Sequence, residues 1–235
     1  MTKAMSADEM KRAAAEAIVP HLKTGMKLGL GTGSTARHFV DCVGELIKKG
    51  FNFTCVPTSE ATKKQAESLN IPLTTLEKEP ILDLTVDGAD EITPELHLIK
   101  GGGGAMLREK IVATSSKQMF VIADESKKVK HLGAFPLPVE VALFGSRATA
   151  MKIERLLINL KYQGSMGARM TKENKLYITD NGNMILDLKL GKIDDPAKLD
   201  AYLASIPGVM DTGLFINVAR KAFIASPKGV EIITR

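Results

Sequence analysis

Apolar positions along this chain alternate between two periods. Residues 7–23 show the helical one, with Met10, Ala13, Ala14, Ala17 and Ile18 on a common side. A short apolar run over 26–30 has strand length, and 35–49 is helical again with Phe39, Val40, Val43, Leu46 and Ile47 turned inward. The pattern then predicts a strand over 51–56, a helix over 62–69, a strand over 81–86, a helix from about 105 to 116 and a strand over 119–123. Strand and helix in alternation predict a parallel sheet with helices on both faces.

After Leu132-Gly133 the pattern changes. Phe135-Pro136-Leu137-Pro138 reads as a stiff connector, followed by a strand over 139–144 and a helix over 147–160. Apolar runs at 176–179 and 184–190 flank Asp180-Asn181-Gly182-Asn183, and the Asn-Gly step is a strong hairpin signal. Asp194-Asp195-Pro196 supplies an N-cap and an N1 proline for a helix to Ser205, and a strand is expected near 214–218. The order β-α-β-β-α-β is the split ferredoxin-like arrangement. The expected fold class is therefore α/β, a Rossmann-like parallel-sheet domain over 1–132 and 206–235 with a smaller ferredoxin-like α+β domain over 133–205. The runs at 222–225 and 230–233 return to the first of these.

Composition narrows the function classes. At 235 residues, with 44% hydrophobic and 25% charged positions, the chain has the make-up of a soluble globular protein that can bury a core. Net charge is +5, but the 32 basic residues are interspersed with 27 acidic ones and form no long like-charge run, so a small anionic metabolite is favoured over nucleic acid. No 18-residue apolar span and no signal-peptide pattern is present, which argues against a membrane protein and for a cytoplasmic one. Cys42 and Cys55 lack metal-type spacing and read as reduced thiols; His21, His38, His97 and His131 show no ligand spacing either, so no metal site is expected.

The chemistry concentrates in two glycine-rich stretches and the acids beside them. Gly29-Leu30-Gly31-Thr32-Gly33-Ser34-Thr35-Ala36 follows a strand and opens a helix, where backbone N–H groups and the helix N-terminus attract an anion. Ser34 and Thr35 offer a helix cap and hydroxyls for phosphate oxygens. Gly31 to Ala36 also fits a dinucleotide fingerprint, but the second strand ends in Val56-Pro57-Thr58-Ser59 rather than in a ribose-binding acid. A phosphate site is the favoured reading, with a dinucleotide site and a plain turn as alternatives.

Asp87-Gly88-Ala89-Asp90-Glu91 ends an apolar strand, at the sheet edge where ligands of open α/β sheets bind. A lone carboxylate there is costly, and Lys100, which opens the run Gly101-Gly102-Gly103-Gly104, is a candidate partner. A turn with Asp90 as a helix cap is the plainer alternative. Glu109 shares a helical face with Ala105, Met106, Val112 and Ala113, so it should be partly desolvated with its pKa pushed up, as a general base near neutral pH requires. The alternative is a salt bridge with Lys100. Lys127, after the strand over 119–123, reaches the same sheet edge or belongs to a solvated charge cluster, and Lys11 by itself reads as an exposed lysine.

Taken in order, these motifs resemble the ribose-5-phosphate isomerase A family. The stretches 29–36, 58–62, 87–91, 100–110, 122–127, 135–141, 179–188 and 206–215 carry the resemblance along nearly the whole chain. Gly104 is a departure, the family often having alanine there, and it puts nothing catalytic in doubt. The resemblance implies Glu109 as proton acceptor, with Asp87, Asp90 and Lys100 handling the sugar hydroxyls and the enediolate. The closed furanose form of such a substrate also calls for an acid–base pair to open the ring, with Asp87 as the candidate. It implies substrate contacts from Thr32, Gly33, Ser34, Thr35, Gly88, Ala89, Gly101, Gly102 and Gly103, and from Lys11 and Lys127 near the phosphate. It further implies the interconversion of ribose 5-phosphate and ribulose 5-phosphate without cofactor or metal, in a homodimer or homotetramer. A sugar-phosphate deaminase, a CoA-transferase-like enzyme and an NAD-dependent oxidoreductase are the rival enzymes. A sugar-phosphate-sensing regulator is the rival of another class, disfavoured because only about 25 residues precede the first strand.

Overall fold

The computed structural model describes residues 5–235. Helix α1 spans Ala7–Glu16 and begins with a capping box, Ser6 accepting from the Glu9 N–H while Glu9 reaches back to the Ser6 N–H. The helical pattern over 7–23 does not run through. Pro20, which disfavours helical backbone before it, turns Val19–His21 into a separate 3₁₀ turn.

Then come β1 (Lys27–Leu30), α2 (Ser34–Lys48), β2 (Thr54–Pro57), α3 (Glu60–Ser68) and β3 (Leu84–Asp87). After two short strands, β4 (Glu91–Ile92) and β5 (Leu98–Ile99), follow α4 (Met106–Thr114) and β6 (Met119–Asp124). The second half holds β7 (Leu137–Val141), α5 (Ser146–Asn159), β8 (Ser165–Ala168), β9 (Met184–Lys189), α6 (Pro196–Ala204), β10 (Val209–Thr212), β11 (Leu214–Phe215), β12 (Lys221–Ser226) and β13 (Gly229–Thr234).

The large sheet has the order β13-β12-β6-β3-β1-β2, parallel except for the β12–β13 hairpin. Its central strands are apolar on both sides because both faces are covered. Leu28, Leu30, Val86, Phe120 and Ile122 pack with Ala14, Phe39, Val40 and Val43 of α1 and α2. On the other face Met119, Val121 and Ala123 pack with Ala113 of α4 and with Phe215. The strand order reverses at β1, which has β2 as its parallel neighbour on one side and β3 as its parallel neighbour on the other. That switch point is where the two predicted ligand-binding stretches meet.

A four-stranded antiparallel sheet, β10-β7-β9-β8, carries α5 and α6 and encloses its own core around Leu137, Val139, Ile153, Leu186, Leu188 and Leu203. The β-α-β-β-α-β order expected for this unit is present, but two of its strands lie elsewhere than the pattern places them. The hairpin partner of β9 is Ser165–Ala168, largely exposed and without an apolar stripe to announce it, whereas 176–179 makes only isolated bridges. The fourth strand is Val209–Thr212, paired with β7, so the small sheet extends past the boundary drawn at 205. Leu214–Phe215 instead joins a three-stranded sheet, β11-β5-β4, not foreseen from the sequence. The first strand of the unit also begins earlier than expected, at Leu137, and takes in Pro138.

Glu91 ties the units together. It is buried and accepts the N–H groups of Gly133 and Phe135 at 2.7 and 2.6 Å, fixing the connector. Cys42 and Cys55 are both free, with thiols pushed up by burial to about 11 and about 12.

Candidate active site

β1 ends against a turn that only glycine can make. A Cβ on Gly31 would collide with the Asp87 carboxylate and backbone, and Gly33 takes φ +111°. Gly33 is the N-cap of α2, and no side chain caps that helix, contrary to the expectation for Ser34 and Thr35. The first N–H groups of a 15-residue helix are thus left facing the sheet edge, where an anion can accept them.

Asp87 is the last residue of β3 and is fully buried. Its Oδ1 accepts the N–H groups of Thr32 and Gly88 at 3.0 and 2.7 Å, which ties the first glycine loop to the turn after β3. Lys100 follows β5, is 2% exposed, and sets its Nζ 3.0 Å from Asp87 Oδ2 and 3.4 Å from Glu109 Oε1. It also donates to the Gly88 carbonyl at 2.6 Å. The two readings of Lys100, partner of Asp87 and partner of Glu109, therefore hold at once. Asp90 is not a helix cap; its Oδ2 accepts the Gly102 N–H at 2.8 Å.

Glu109 lies on the buried face of α4 with Met106, Val112 and Ala113, as the helical period predicts. Its Oε2 is buried and has no hydrogen-bond partner among the described residues. Burial, and then the Asp87 charge, push its pKa up to about 8 against the opposing pull of Lys100. Burial likewise raises Asp87. Burial would lower Lys100, but Asp87 and Glu109 outweigh it and the net direction is up, so the ammonium persists at the centre of the cluster.

A cleft of about 100 Å³ opens over this cluster. It is lined by Thr32, Gly33, Ser34, Thr35, Gly88, Ala89, Asp90, Lys100, Gly101, Gly102, Gly103, Glu109 and Lys127, so five separate stretches of the chain converge there. Lys127 arrives through a 3₁₀ turn that Asp124 caps by accepting the Ser126 N–H. Of the residues singled out in the sequence, two are not in the lining. Asp87 sits behind it, and Lys11, half-buried on α1, stands apart from it. A wider groove of about 440 Å³ between α3 and α4 holds none of them.

The structure adds residues that sequence reasoning left out. The Thr32 hydroxyl meets those of Thr58, Ser59 and Thr62 at 2.7, 2.8 and 3.1 Å, so the hydroxyl-rich turn after β2 braces the first loop from below. Arg169 and Tyr177, from the small-sheet unit, bond to carbonyls of the glycine run. Neither carries a local sequence signal. The Gly104 departure also has a steric counterpart, because a Cβ there would collide with the Tyr177 ring and hydroxyl.

Comparison with known proteins places this arrangement. The family model for ribose 5-phosphate isomerase A (phosphoriboisomerase A) matches residues 54–229. Proteins named ribose-5-phosphate isomerase A from Parvibaculum lavamentivorans and Rhodopseudomonas palustris are 54% and 52% identical, over 97% and 98% of this chain and 99% and 100% of theirs. Ribose 5-phosphate isomerase A of Methanocaldococcus jannaschii superposes with a TM-score of 0.90 at 37% identity, covering 98% of this chain and all of that one. A D-ribose-5-phosphate isomerase in complex with phospho-erythronic acid gives 0.92 at 37% identity, with the same coverage. With its fold, its motifs and its full length matched together, the chain belongs to the ribose 5-phosphate isomerase A family.

Proposed function

We propose that this protein interconverts ribose 5-phosphate and ribulose 5-phosphate through a cis-enediolate, with Glu109 carrying the proton between C2 and C1. The observation that carries this reading is Glu109 itself: a buried carboxylate at the cleft, one oxygen toward a lysine and the other free. A carboxylate raised to about 8 is a stronger base than an ordinary one, and its free oxygen can take a proton from bound substrate. In the aldose-to-ketose direction it removes the C2 proton and returns it to C1. The Lys100 ammonium, 3.4 Å from Glu109, is placed to meet the enediolate oxygen, a form of stabilisation typically worth ~3 kcal/mol.

Phosphate is assigned to the open N-terminus of α2, with the Ser34 and Thr35 hydroxyls and Lys127. Binding there holds the reacting carbons in register at the other end of the cleft. A related isomerase is known in complex with phospho-erythronic acid, an acid that carries a phosphate, which supports a site for a phosphorylated sugar chain. Ring opening of the furanose needs an acid–base pair in contact with substrate. Asp87, the candidate for that task by sequence, is fully buried and absent from the cleft lining. The task therefore passes to Asp90 and Lys100, which line the cleft, while Asp87 holds Lys100 and Thr32 in place. A homodimer or homotetramer in the cytoplasm goes with this reading, and sedimentation would test the assembly; among the described residues no helix is long and apolar enough to cross a membrane.

The test is proton NMR of ribose 5-phosphate with the protein in D₂O. Appearance of ribulose 5-phosphate together with deuterium at the carbon receiving the proton is expected. No isomerisation with fully folded protein would refute the reading.

A further inference from the structure

The run of four consecutive glycines, Gly101–Gly104, presents its first three residues to the cleft as a wall without side chains. Such a run has the largest backbone freedom of any sequence, so its order in the folded state must come from groups outside it. Those groups belong to the small-sheet unit. Arg169, just after β8, donates from Nη1 to the carbonyls of Gly101 and Gly102 at 2.7 and 3.2 Å. Its Nε and Nη2 are bound to the two oxygens of Asp187 on β9, at 2.9 and 2.5 Å. Tyr177 donates its hydroxyl to the Gly103 carbonyl at 3.2 Å and sets its ring 6.0 Å from the Arg169 guanidinium. Two side chains thus hold three successive carbonyls.

Peptide geometry gives that grip a consequence in the cleft. In a trans peptide the carbonyl and the following N–H point in opposite directions. With the Gly101 and Gly102 carbonyls turned toward Arg169, the N–H groups of Gly102 and Gly103 turn the other way, and both residues line the cleft. The Gly102 N–H shows the result, donating to Asp90 Oδ2 at 2.8 Å. We infer that Arg169, fixed by Asp187 and backed by Tyr177, is a positioning residue for the reaction. It sets the peptide planes of the glycine run so that the Gly103 N–H faces the sugar phosphate and the Gly102 N–H keeps Asp90 in its place. The inference rests on the isomerase reading above. Lysine cannot substitute, because only a planar fork of donors satisfies a carboxylate and two carbonyls together.

The alternative is a contact that only holds the two units together, and kinetics on the full chain separate the two. Arg169→Ala, Arg169→Lys and Tyr177→Phe are assayed with ribose 5-phosphate well below each variant's melting temperature, with amide hydrogen exchange followed at residues 101–104 and in β6. For Arg169→Ala we expect kcat/KM to fall by about 10–100-fold, the scale of loss from small misplacements of reacting groups. The fall should include a rise in KM, which a smaller folded fraction would not produce. Arg169→Lys should recover less than about a third of the native value, and Tyr177→Phe should lose a few-fold. Exchange at Gly102 and Gly103 should speed up while β6 stays protected. If Arg169→Ala does not fold, the lysine and phenylalanine variants decide. Folded variants with native KM and kcat, or with unchanged exchange at 102 and 103, overturn the inference. If the unaltered protein turns over no ribose 5-phosphate, the isomerase reading fails instead, whatever the exchange at the glycine run shows.

Discussion

Replacing Glu109 by glutamine removes a proton acceptor and changes little else in the cleft. The amide keeps the volume, still packs between Met106, Val112 and Ala113, and can still present an oxygen toward Lys100 3.4 Å away. What it cannot do is accept a proton. Removal of a positioned general base costs typically 10²–10⁴ in rate, or about 3–5 kcal/mol at 1.36 kcal/mol per decade. The upper part of that range is expected here, because no histidine lines the cleft and Asp87 lies behind it with Oδ1 already bound to two N–H groups. KM should change far less, since the proposed phosphate site at α2 and Lys127 is left intact. The assay is turnover of ribose 5-phosphate together with deuterium incorporation from D₂O, and both should fall in step. The unaltered protein should show a kcat/KM that rises with pH, is half-maximal near pH 8 and levels off above about pH 9, as the carboxylate with a pKa of about 8 ionises. A Glu109→Gln protein that keeps more than about a tenth of native turnover, or a profile already flat between pH 6 and 8, would refute the assignment.

The same side chain should make the protein less stable as pH rises. A carboxyl raised from 4.5 to about 8 by folding contributes stability that is fully present below pH 4.5 and lost as pH climbs through 8, so the melting temperature of Glu109→Gln relative to native should be higher at pH 9 than at pH 5; a constant difference would contradict it. Thr35→Ala should weaken both substrate binding and competitive inhibition by inorganic phosphate, and unphosphorylated ribose should be a very poor substrate; equal turnover of ribose and ribose 5-phosphate would remove the role given to α2. Among the described residues no group of three or more His, Cys, Asp and Glu side chains is placed to hold a metal ion, so activity should survive EDTA and dialysis, and loss restored by a divalent cation would argue otherwise.

Much of the site is local in origin and could be read from the chain. Gly31 and Gly33 stand where a strand must turn sharply into a helix, and Asp87 ends an apolar strand, so their neighbourhood follows from adjacent residues. Glu109 is legible for a related reason: helical period alone places it with Met106, Val112 and Ala113. The elements misplaced by pattern are those whose partners lie far away. Ser165–Ala168 is a strand because β9 offers it an edge, not because its own side chains are apolar. Leu214–Phe215 looks like the closing strand of the small unit, yet β5 takes it and leaves Val209–Thr212 to pair with β7.

By itself the sequence determined the alternating α/β order, the position of the two glycine loops at strand ends and the presence of acid, base and cation within reach of one sheet edge. These follow from short-range sterics and periodicity, which a few neighbouring residues suffice to set. Tertiary structure decided what that chemistry becomes. It placed Lys100 between Asp87 and Glu109, withdrew Asp87 from the cleft, left Lys11 outside the lining and brought Arg169 and Tyr177 across from another sheet to hold the glycine run. A shift of Glu109 to about 8 needs burial and a second carboxylate from a separate strand, and only the packed fold supplies both.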